Sequence, residues 1–154
     1  MNINLQIILE KLKYKKINFR ILDTKTTMIS SKDVEKVFAG DPREIWKTLV
    51  VTDEKDFFAA FICGRDRLDV KKLENALGIS GLRMAKAKEL KEKLKLQPGE
   101  VCPLSINLPL ICDFSINSFK KINFGSGDIE YGIEMKTDDI LKFLKLKVMD
   151  IRED

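Results

Sequence analysis

The sequence predicts an α+β domain built on a mixed, mostly antiparallel β-sheet. Its 154 residues fit one domain with one core, and it contains no internal repeat or linker-like tract. Two pairs of apolar runs, each separated by a short polar turn, indicate β-hairpins, while single helical segments separate the other strands. A doubly wound parallel sheet is less well supported, because strict alternation of strand and helix fails at both hairpins.

The first half of the chain is expected to begin with a helix and to contain the first hairpin. Residues 2–16 carry apolar side chains at helical spacing. Ser30 or Ser31 is expected to cap a second helix, which Gly40 ends. The other elements expected here are a short strand at 18–22, a helical turn after Asp41-Pro42, and strands at 47–52 and 57–63.

The second half contains the second hairpin and two further capped helices. Asp69 can cap a helix over 70–77 that Gly78 closes, and Thr137 is expected to cap a helix over 138–144. The other elements expected here are a strand at 81–84, a helix at 86–95, a buried strand at 110–114, hairpin strands at 120–124 and 129–135, and a last strand at 147–151.

Histidine is absent from the chain. This excludes Ser-His-Asp and Cys-His catalysis in their usual forms, together with histidine metal ligands. Any chemistry must therefore come from lysines, carboxylates, backbone N–H groups, bound water or the substrate itself.

The three cysteines do not indicate a disulfide framework or a zinc site. They are an odd number, and none forms a C-x-x-C pair. Cys63 and Cys112 lie in apolar runs and are expected to pack as small hydrophobic residues. The glycines form neither a GxGxxG fingerprint nor a P-loop. We therefore expect no metal and no cofactor.

The hydropathy pattern favours a cytoplasmic protein without membrane association. No window approaches the ~20 apolar residues of a membrane-spanning helix. The N-terminus is too polar beyond Leu9 for a signal peptide and lacks a small-residue cleavage site.

The net charge is a mild +4, but the lysines are clustered. Such clusters could follow the phosphates of a nucleic acid, or they could lie on solvated helix faces, and the sequence leaves both interpretations open. The clusters are Lys11, Lys13, Lys15 and Lys16; Lys86, Lys88, Lys91, Lys93 and Lys95; and Lys120 and Lys121.

Lys47 lies at the start of an apolar strand in the stretch EIWKTLVVTD. Strand alternation places it on one face with Leu49 and Val51. Its ammonium group could therefore reach water from a strand end, or it could lie at the rim of a buried pocket. The sequence around it allows both.

The stretch QPGEVCPLSINLP, residues 97–109, is the second candidate site. Three prolines restrict its backbone, so it could present free N–H groups to a ligand or serve only as a stiff connection. Cys102 has no histidine to activate it, which argues against a thiol nucleophile. The third candidate is FGSGD, Phe124 to Asp128, a tight turn whose glycines also allow a close approach to a ligand.

The order of these motifs resembles that of the YbaK/ProX family. This family comprises aminoacyl-tRNA deacylases that also occur as the editing insertion of bacterial prolyl-tRNA synthetases. The resemblance covers roughly residues 30 to 151, so we expect one domain over 1–154 with residues 1–29 as a less typical helix–strand segment. The motifs are KTLVV at 47–51, GRDRLDVKKLENALG at 64–78, RMAKAKEL at 83–90, PGEVCPL at 98–104, ICDFSI at 111–116 and NFGSGD at 123–128.

The resemblance implies a mixed-sheet pseudo-barrel flanked by helices, with one pocket. The implied activity is hydrolysis of the ester of mischarged tRNA for proline carrying alanine or cysteine, without metal or cofactor. The implied partners are tRNA and prolyl-tRNA synthetase; the oligomeric state is not indicated. Lys47 matches the family's pocket lysine, and the matching substrate-binding positions are Gly99, Val101, Cys102, Pro103 and Ser105 in the Gly-x-x-x-Pro loop and Gly125 and Asp128 in the glycine segment.

Three positions depart from the family pattern. Many members have serine in place of Cys102 and a glycine close after the proline, where Ser105 stands here. Phe19 stands near a position where some members have tyrosine. Two alternatives therefore stay open: a non-catalytic tRNA- or synthetase-binding module of the same fold, and a thiol enzyme that uses Cys102.

Overall fold

The structure, a computed structural model, describes all residues from Met1 to Asp154. Its strands are β1 (Arg20–Asp23), β2 (Trp46–Thr52), β3 (Phe57–Cys63), β4 (Arg83–Met84), β5 (Leu110–Asp113), β6 (Lys121–Gly125), β7 (Tyr131–Lys136) and β8 (Lys147–Met149). Its α-helices are α1 (Ile3–Tyr14), α2 (Ser31–Glu35), α3 (Val70–Leu77), α4 (Ala87–Glu89) and α5 (Thr137–Leu144). Short 3₁₀-helices occupy Pro42–Glu44 and Phe114–Ser118, and a π-helical turn occupies Leu90–Leu94.

The strands form two sheets, and the predicted α+β class with mixed, mostly antiparallel pairing is confirmed. One sheet has the order β1-β7-β6 and is antiparallel throughout. The other has the order β4-β2-β3-β5-β8, in which β3, β5 and β8 are parallel and the remaining pairs are antiparallel. Both predicted hairpins are present, as β2–β3 and β6–β7. A parallel bridge between Ile45 and Asn123 joins the two sheets.

Three of the predicted helices differ from expectation. Ser30 caps α2 through a capping box with Asp33, but the helix ends at Glu35 and not at Gly40. The helix expected at 86–95 is a single α-turn followed by the π-helical turn. Thr137 is the first residue of α5 and does not cap it: Lys136 occupies the N-cap position, and the Thr137 hydroxyl has no hydrogen-bond partner.

The main core lies between the three-stranded sheet, the β2–β3 hairpin and α1. Leu5, Ile8 and Leu12 of α1 are buried in it. Burying a side chain of this kind stabilises the fold by about 1.5–3 kcal/mol, so the N-terminal helix is part of the core. Its other buried members are Trp46, Phe61, Cys63, Cys102, Leu104, Cys112, Ile116, Ile122, Phe124, Ile133, Met135 and Ile140.

A second, smaller core covers the opposite face of the five-stranded sheet. Leu73 of α3 packs there with Val51 and Ile111. As predicted, Asp69 caps α3 by accepting from Lys72 N, and Gly78 ends it with a left-handed φ of 70°. None of the helices is long and apolar enough to cross a membrane.

The carboxylate of Asp113 fixes the end of β5. It is fully buried and accepts hydrogen bonds from Ser115 N at 3.1 Å, from the Ser115 hydroxyl and from Ile151 N at 2.9 Å. One side chain thus ties the 3₁₀-helix after β5 to the C-terminal segment.

We predict that Asp113→Ala lowers the free energy of unfolding by about 2–4 kcal/mol, because it leaves buried donors without an acceptor. Asp113→Asn keeps one acceptor oxygen and should lose less. Glu10→Ala, at an exposed helix position, is the control and should stay within about 0.5 kcal/mol of wild type. Urea unfolding measures all three, and an Asp113→Ala variant as stable as the control would contradict this role.

Candidate functional site

A cavity of about 950 Å³ lies on the face of the three-stranded sheet that points away from the main core. Side chains alternate along strands, so Ile122 and Phe124 of β6 face the core while Asn123 and Gly125 face the cavity. The strand registers extend this wall across neighbouring strands. Its other members are Arg20 and Leu22 of β1, Gly132 and Glu134 of β7, and Lys121 of β6.

The β2 strand continues the wall across the bridge between the sheets. Ile45 and Asn123 are bridge partners, so their side chains lie on the same face. Two residues further along β2, Lys47 lies on this face too, followed by Leu49. The segment after β1 closes another side of the cavity with Met28, Ile29, Val34, Val37 and Phe38.

The ammonium group of Lys47 is held by two backbone carbonyls. Nζ donates to Gly64 O at 3.0 Å and to Asp66 O at 2.8 Å, in the turn that follows β3. Burial lowers the pKa of Lys47 below its usual range, and the negative charge of Asp66 opposes this shift. An ammonium group has three donors, so one N–H of Lys47 is available to a ligand.

Only two of the five substrate-binding residues predicted in the rigid loop line the cavity. Gly99 and Val101 line it, and their backbone N–H groups have no hydrogen-bond acceptor within the protein. Gly99 adopts a φ of 90°, which favours glycine. The Val101 carbonyl lies close against Gly125, where an added Cβ would be 3.2 Å from its oxygen.

Cys102, Pro103 and Ser105 do not line the cavity. Cys102 is 1% exposed and packs in the main core, Pro103 is buried, and Ser105 is exposed. The reason is a tight turn in which Ser105 N and Ile106 N both donate to Cys102 O. Burial also raises the pKa of Cys102 to about 12, so its thiol stays protonated at neutral pH.

The start of the N-terminal helix supports the glycine loop. Asp128 lines the cavity, and its Oδ2 accepts from Asn2 N at 2.7 Å while its Oδ1 accepts from Glu130 N at 3.1 Å. The Asn2 side chain donates to Gly127 O at 2.9 Å. Both oxygens of Asp128 are thus used to shape the loop.

Two polar features of the cavity were not predicted from the sequence. Glu134 pairs with Arg20 through two bonds of 3.0 and 3.1 Å and lies 3.8 Å from Lys121. Asn123 is a buried polar residue between two core residues. The position of Asn123 could have been predicted from the sequence, because a polar residue between two apolar ones in a strand faces away from the core. Phe19 packs against the main core and does not line the cavity.

We predict that Gly99→Ala lowers the free energy of unfolding more than Gly78→Ala. Both glycines have positive φ, but an added Cβ at Gly99 would lie 3.1 Å from Ile29 Cα, whereas Gly78 has nothing within 4 Å. The control should lose about 1 kcal/mol from backbone strain alone. Chemical denaturation compares the two variants, and an equal loss would contradict the close approach at Gly99.

We also predict that the native protein does not react with the thiol reagent DTNB at pH 8. All three cysteines are buried, and burial raises the pKa of each thiol. All three should react after unfolding in guanidinium chloride. A rapidly reacting thiol in the folded protein would revive Cys102 as a candidate nucleophile.

Comparison with known proteins identifies the family. The model of the aminoacyl-tRNA editing domain family matches residues 25–143. The chain is 33% identical over 115 residues to the proline–tRNA ligase of Sulfurihydrogenibium sp. (strain YO3AOP1), an alignment that covers 65% of the chain and 20% of the ligase. It is 23% identical over 151 residues to that of Streptococcus pneumoniae serotype 4 (strain ATCC BAA-334 / TIGR4), covering 91% of the chain and 24% of the ligase. The chain thus spans about a fifth of the length of these relatives.

Solved structures share the fold over nearly the whole chain. The hypothetical protein APE2540 superimposes with a TM-score of 0.85 at 26% identity, covering 95% of this chain and 99% of that one. A structure described as a candidate trans-editing enzyme for prolyl-tRNA synthetase gives a TM-score of 0.81 at 20% identity, covering 100% and 99%. The family resemblance predicted from motif order is confirmed, and the chain belongs to the aminoacyl-tRNA editing domain family.

Proposed function

We propose that this editing domain is a trans-acting deacylase that hydrolyses the ester of mischarged tRNA for proline carrying alanine or cysteine. The observation that carries the proposal is the cavity with Lys47 on its wall, in a chain that belongs to an editing family related to prolyl-tRNA synthetase. Its volume of about 950 Å³ is at the upper end of the ~300–1,000 Å³ usual for small-molecule sites. This is enough for a terminal adenosine and a small amino acid. Such an activity would place the protein in the cytoplasm.

Lys47 would provide the positive charge at the reacting end of the tRNA. Its two bonds to Gly64 O and Asp66 O fix the ammonium group on a rigid strand and leave one donor for a phosphate or carbonyl oxygen. Since burial lowers the pKa of Lys47, this charge would be lost at a lower pH than that of an exposed lysine.

The loop would provide neutral donors for the developing oxyanion. The N–H groups of Gly99 and Val101 are unused within the protein and border the cavity. A single preorganised donor of this kind contributes about 10²–10³-fold to the rate of acyl transfer. An aminoacyl ester is already activated, so a positioned water or the 2′/3′-hydroxyl of the substrate would replace the missing histidine base.

An exposed basic segment beside the cavity would bind the tRNA backbone. Leu90 lines the cavity, and the lysines around it are exposed. Glu89 forms its salt bridge with Arg83 and not with any of these lysines. The one lysine of this segment in a salt bridge is Lys88, whose Nζ lies 4.0 Å from Glu92. The lysines left without a carboxylate partner, Lys86, Lys91, Lys93 and Lys95, fit the phosphate-tracking interpretation.

We predict that Lys47→Ala lowers the deacylation rate on alanyl- or cysteinyl-tRNA for proline by about 10²-fold, because it removes charge stabilisation at the ester. Lys55→Ala, at an exposed position in the β2–β3 turn, is the control and should keep the wild-type rate. Rates are compared with matched thermal melts, because Lys47 also holds the turn after β3. Full activity in Lys47→Ala would refute its role, and salt-sensitive tRNA binding by a wild type that deacylates nothing would favour the non-catalytic module.

A further inference from the structure

Asn123 is a buried amide whose hydrogen-bonding groups are not used within the protein. The residue is 1% exposed, and neither Oδ1 nor Nδ2 has a partner. Nearly all buried polar side-chain atoms in folded proteins are hydrogen-bonded, and leaving an amide unpaired destabilises the fold. An apolar residue would be the more stable choice here unless the amide binds something.

The amide faces the cavity and not the core. Its strand neighbours Ile122 and Phe124 are in the main core, so alternation turns Asn123 to the other face, where it lines the cavity. Its bridge to Ile45 puts it on the same face as Lys47. Trp46 Nε1 and Thr48 Oγ1 are also buried and unpartnered, and both residues border the cavity from the opposite face of β2.

The neighbours of Asn123 on this face are a pair of glycines and an ion-paired carboxylate. The next pair along this face is Gly125 opposite Gly132, so neither strand places a side chain there; the Val101 carbonyl lies against Gly125 and the Leu22 side chain against Gly132. The residue of β7 that pairs with Asn123 is Glu134, whose carboxylate is largely buried. Arg20 and Lys121 form salt bridges with that carboxylate, which hold it on the same face of the sheet as Asn123.

We propose that Asn123 binds the aminoacyl group itself, by accepting a hydrogen bond from its α-ammonium and donating one to its carbonyl. A side-chain amide offers one acceptor and one donor group, and an aminoacyl ester presents the complementary pair, with the ammonium nitrogen and the carbonyl oxygen three bonds apart. Glu134 on the same face is already paired with Arg20 and Lys121, so the amide oxygen of Asn123 is the group left to accept from the α-ammonium. This assignment rests on the proposed function, and it names the chemical feature by which the pocket recognises any small amino acid.

The test uses two adenosine probes that differ only in the α-ammonium. One is 3′-alanylamido-3′-deoxyadenosine and the other is its propionylamido counterpart, and both carry an amide that resists hydrolysis. Calorimetric titration of wild type should show at least about tenfold tighter binding of the alanylamido probe. Asn123→Leu, which keeps the branching at Cγ but is larger, should remove this preference, and Asn123→Ala serves as a second variant if the first does not fold.

Thr137→Val is the matched control for a structural role. Thr137 Oγ1 is also buried and unpartnered, but the residue does not line the cavity. Both Asn123→Leu and Thr137→Val should melt at or above the wild-type temperature, because each removes an unpaired polar group. Only Asn123→Leu should lose the probe preference.

A wild type without preference for the ammonium-bearing probe, or an Asn123→Leu variant that keeps it, would overturn the assignment. Deacylation is measured separately on alanyl-tRNA for proline. Absent deacylation with the probe preference intact would overturn the proposed hydrolysis while supporting this binding role.

Discussion

The parallel bridge between Ile45 and Asn123 is the constraint on which the site depends. It joins the two sheets and puts equivalent faces of β2 and β6 together. On one face this combines Lys47 with Asn123 and Gly125 around the cavity. On the other face Trp46 and Phe124 enter the main core, and both pack on Phe61 with ring centroids 5.3 and 5.9 Å away. The aromatic contacts therefore hold the junction whose reverse side carries the site.

The absence of histidine shapes the chemistry that this cavity can support. The cavity contains polar groups held in fixed positions: an ammonium bound by two carbonyls, unused backbone N–H groups, and a carboxylate bound by Arg20. Preorganised groups of this kind stabilise developing charge without having to reorient during the reaction. They suit an activated ester, where the acyl group is already reactive and positioning supplies much of the remaining acceleration.

Local patterns in the sequence predicted the elements well where capping and alternation agree. The β2–β3 hairpin and α3 lie where the β-branched runs and the Asp69 and Gly78 caps indicated. Where the loop residues lie depends on tertiary contacts. Cys102 shares a loop with Gly99, yet the turn closed on its carbonyl sends its side chain into the core. No local signal reports which way such a loop turns.

The cavity wall itself is a product of strand register. Asn123 and Glu134 lie on the hairpin predicted from the sequence, but Lys47 comes from a distant strand, and its place on their face follows from the bridge between Ile45 and Asn123, which a single sequence does not display. Motif order could nevertheless point to Lys47, Gly99 and Gly125, because these positions match the family pattern residue by residue. The N-terminal helix adds a contact that the pattern did not include, since Asn2 supports the loop that carries Asp128.

The proposed activity of this cavity is the hydrolysis of wrongly charged tRNA for proline. Its most direct test is the initial rate of deacylation of that tRNA charged in turn with alanine, cysteine, serine and proline, each compared with hydrolysis in buffer. We expect the alanyl or cysteinyl ester to be cleaved well above the uncatalysed rate and prolyl-tRNA to be spared. Uncatalysed rates for every ester, or preferential cleavage of prolyl-tRNA, would contradict it.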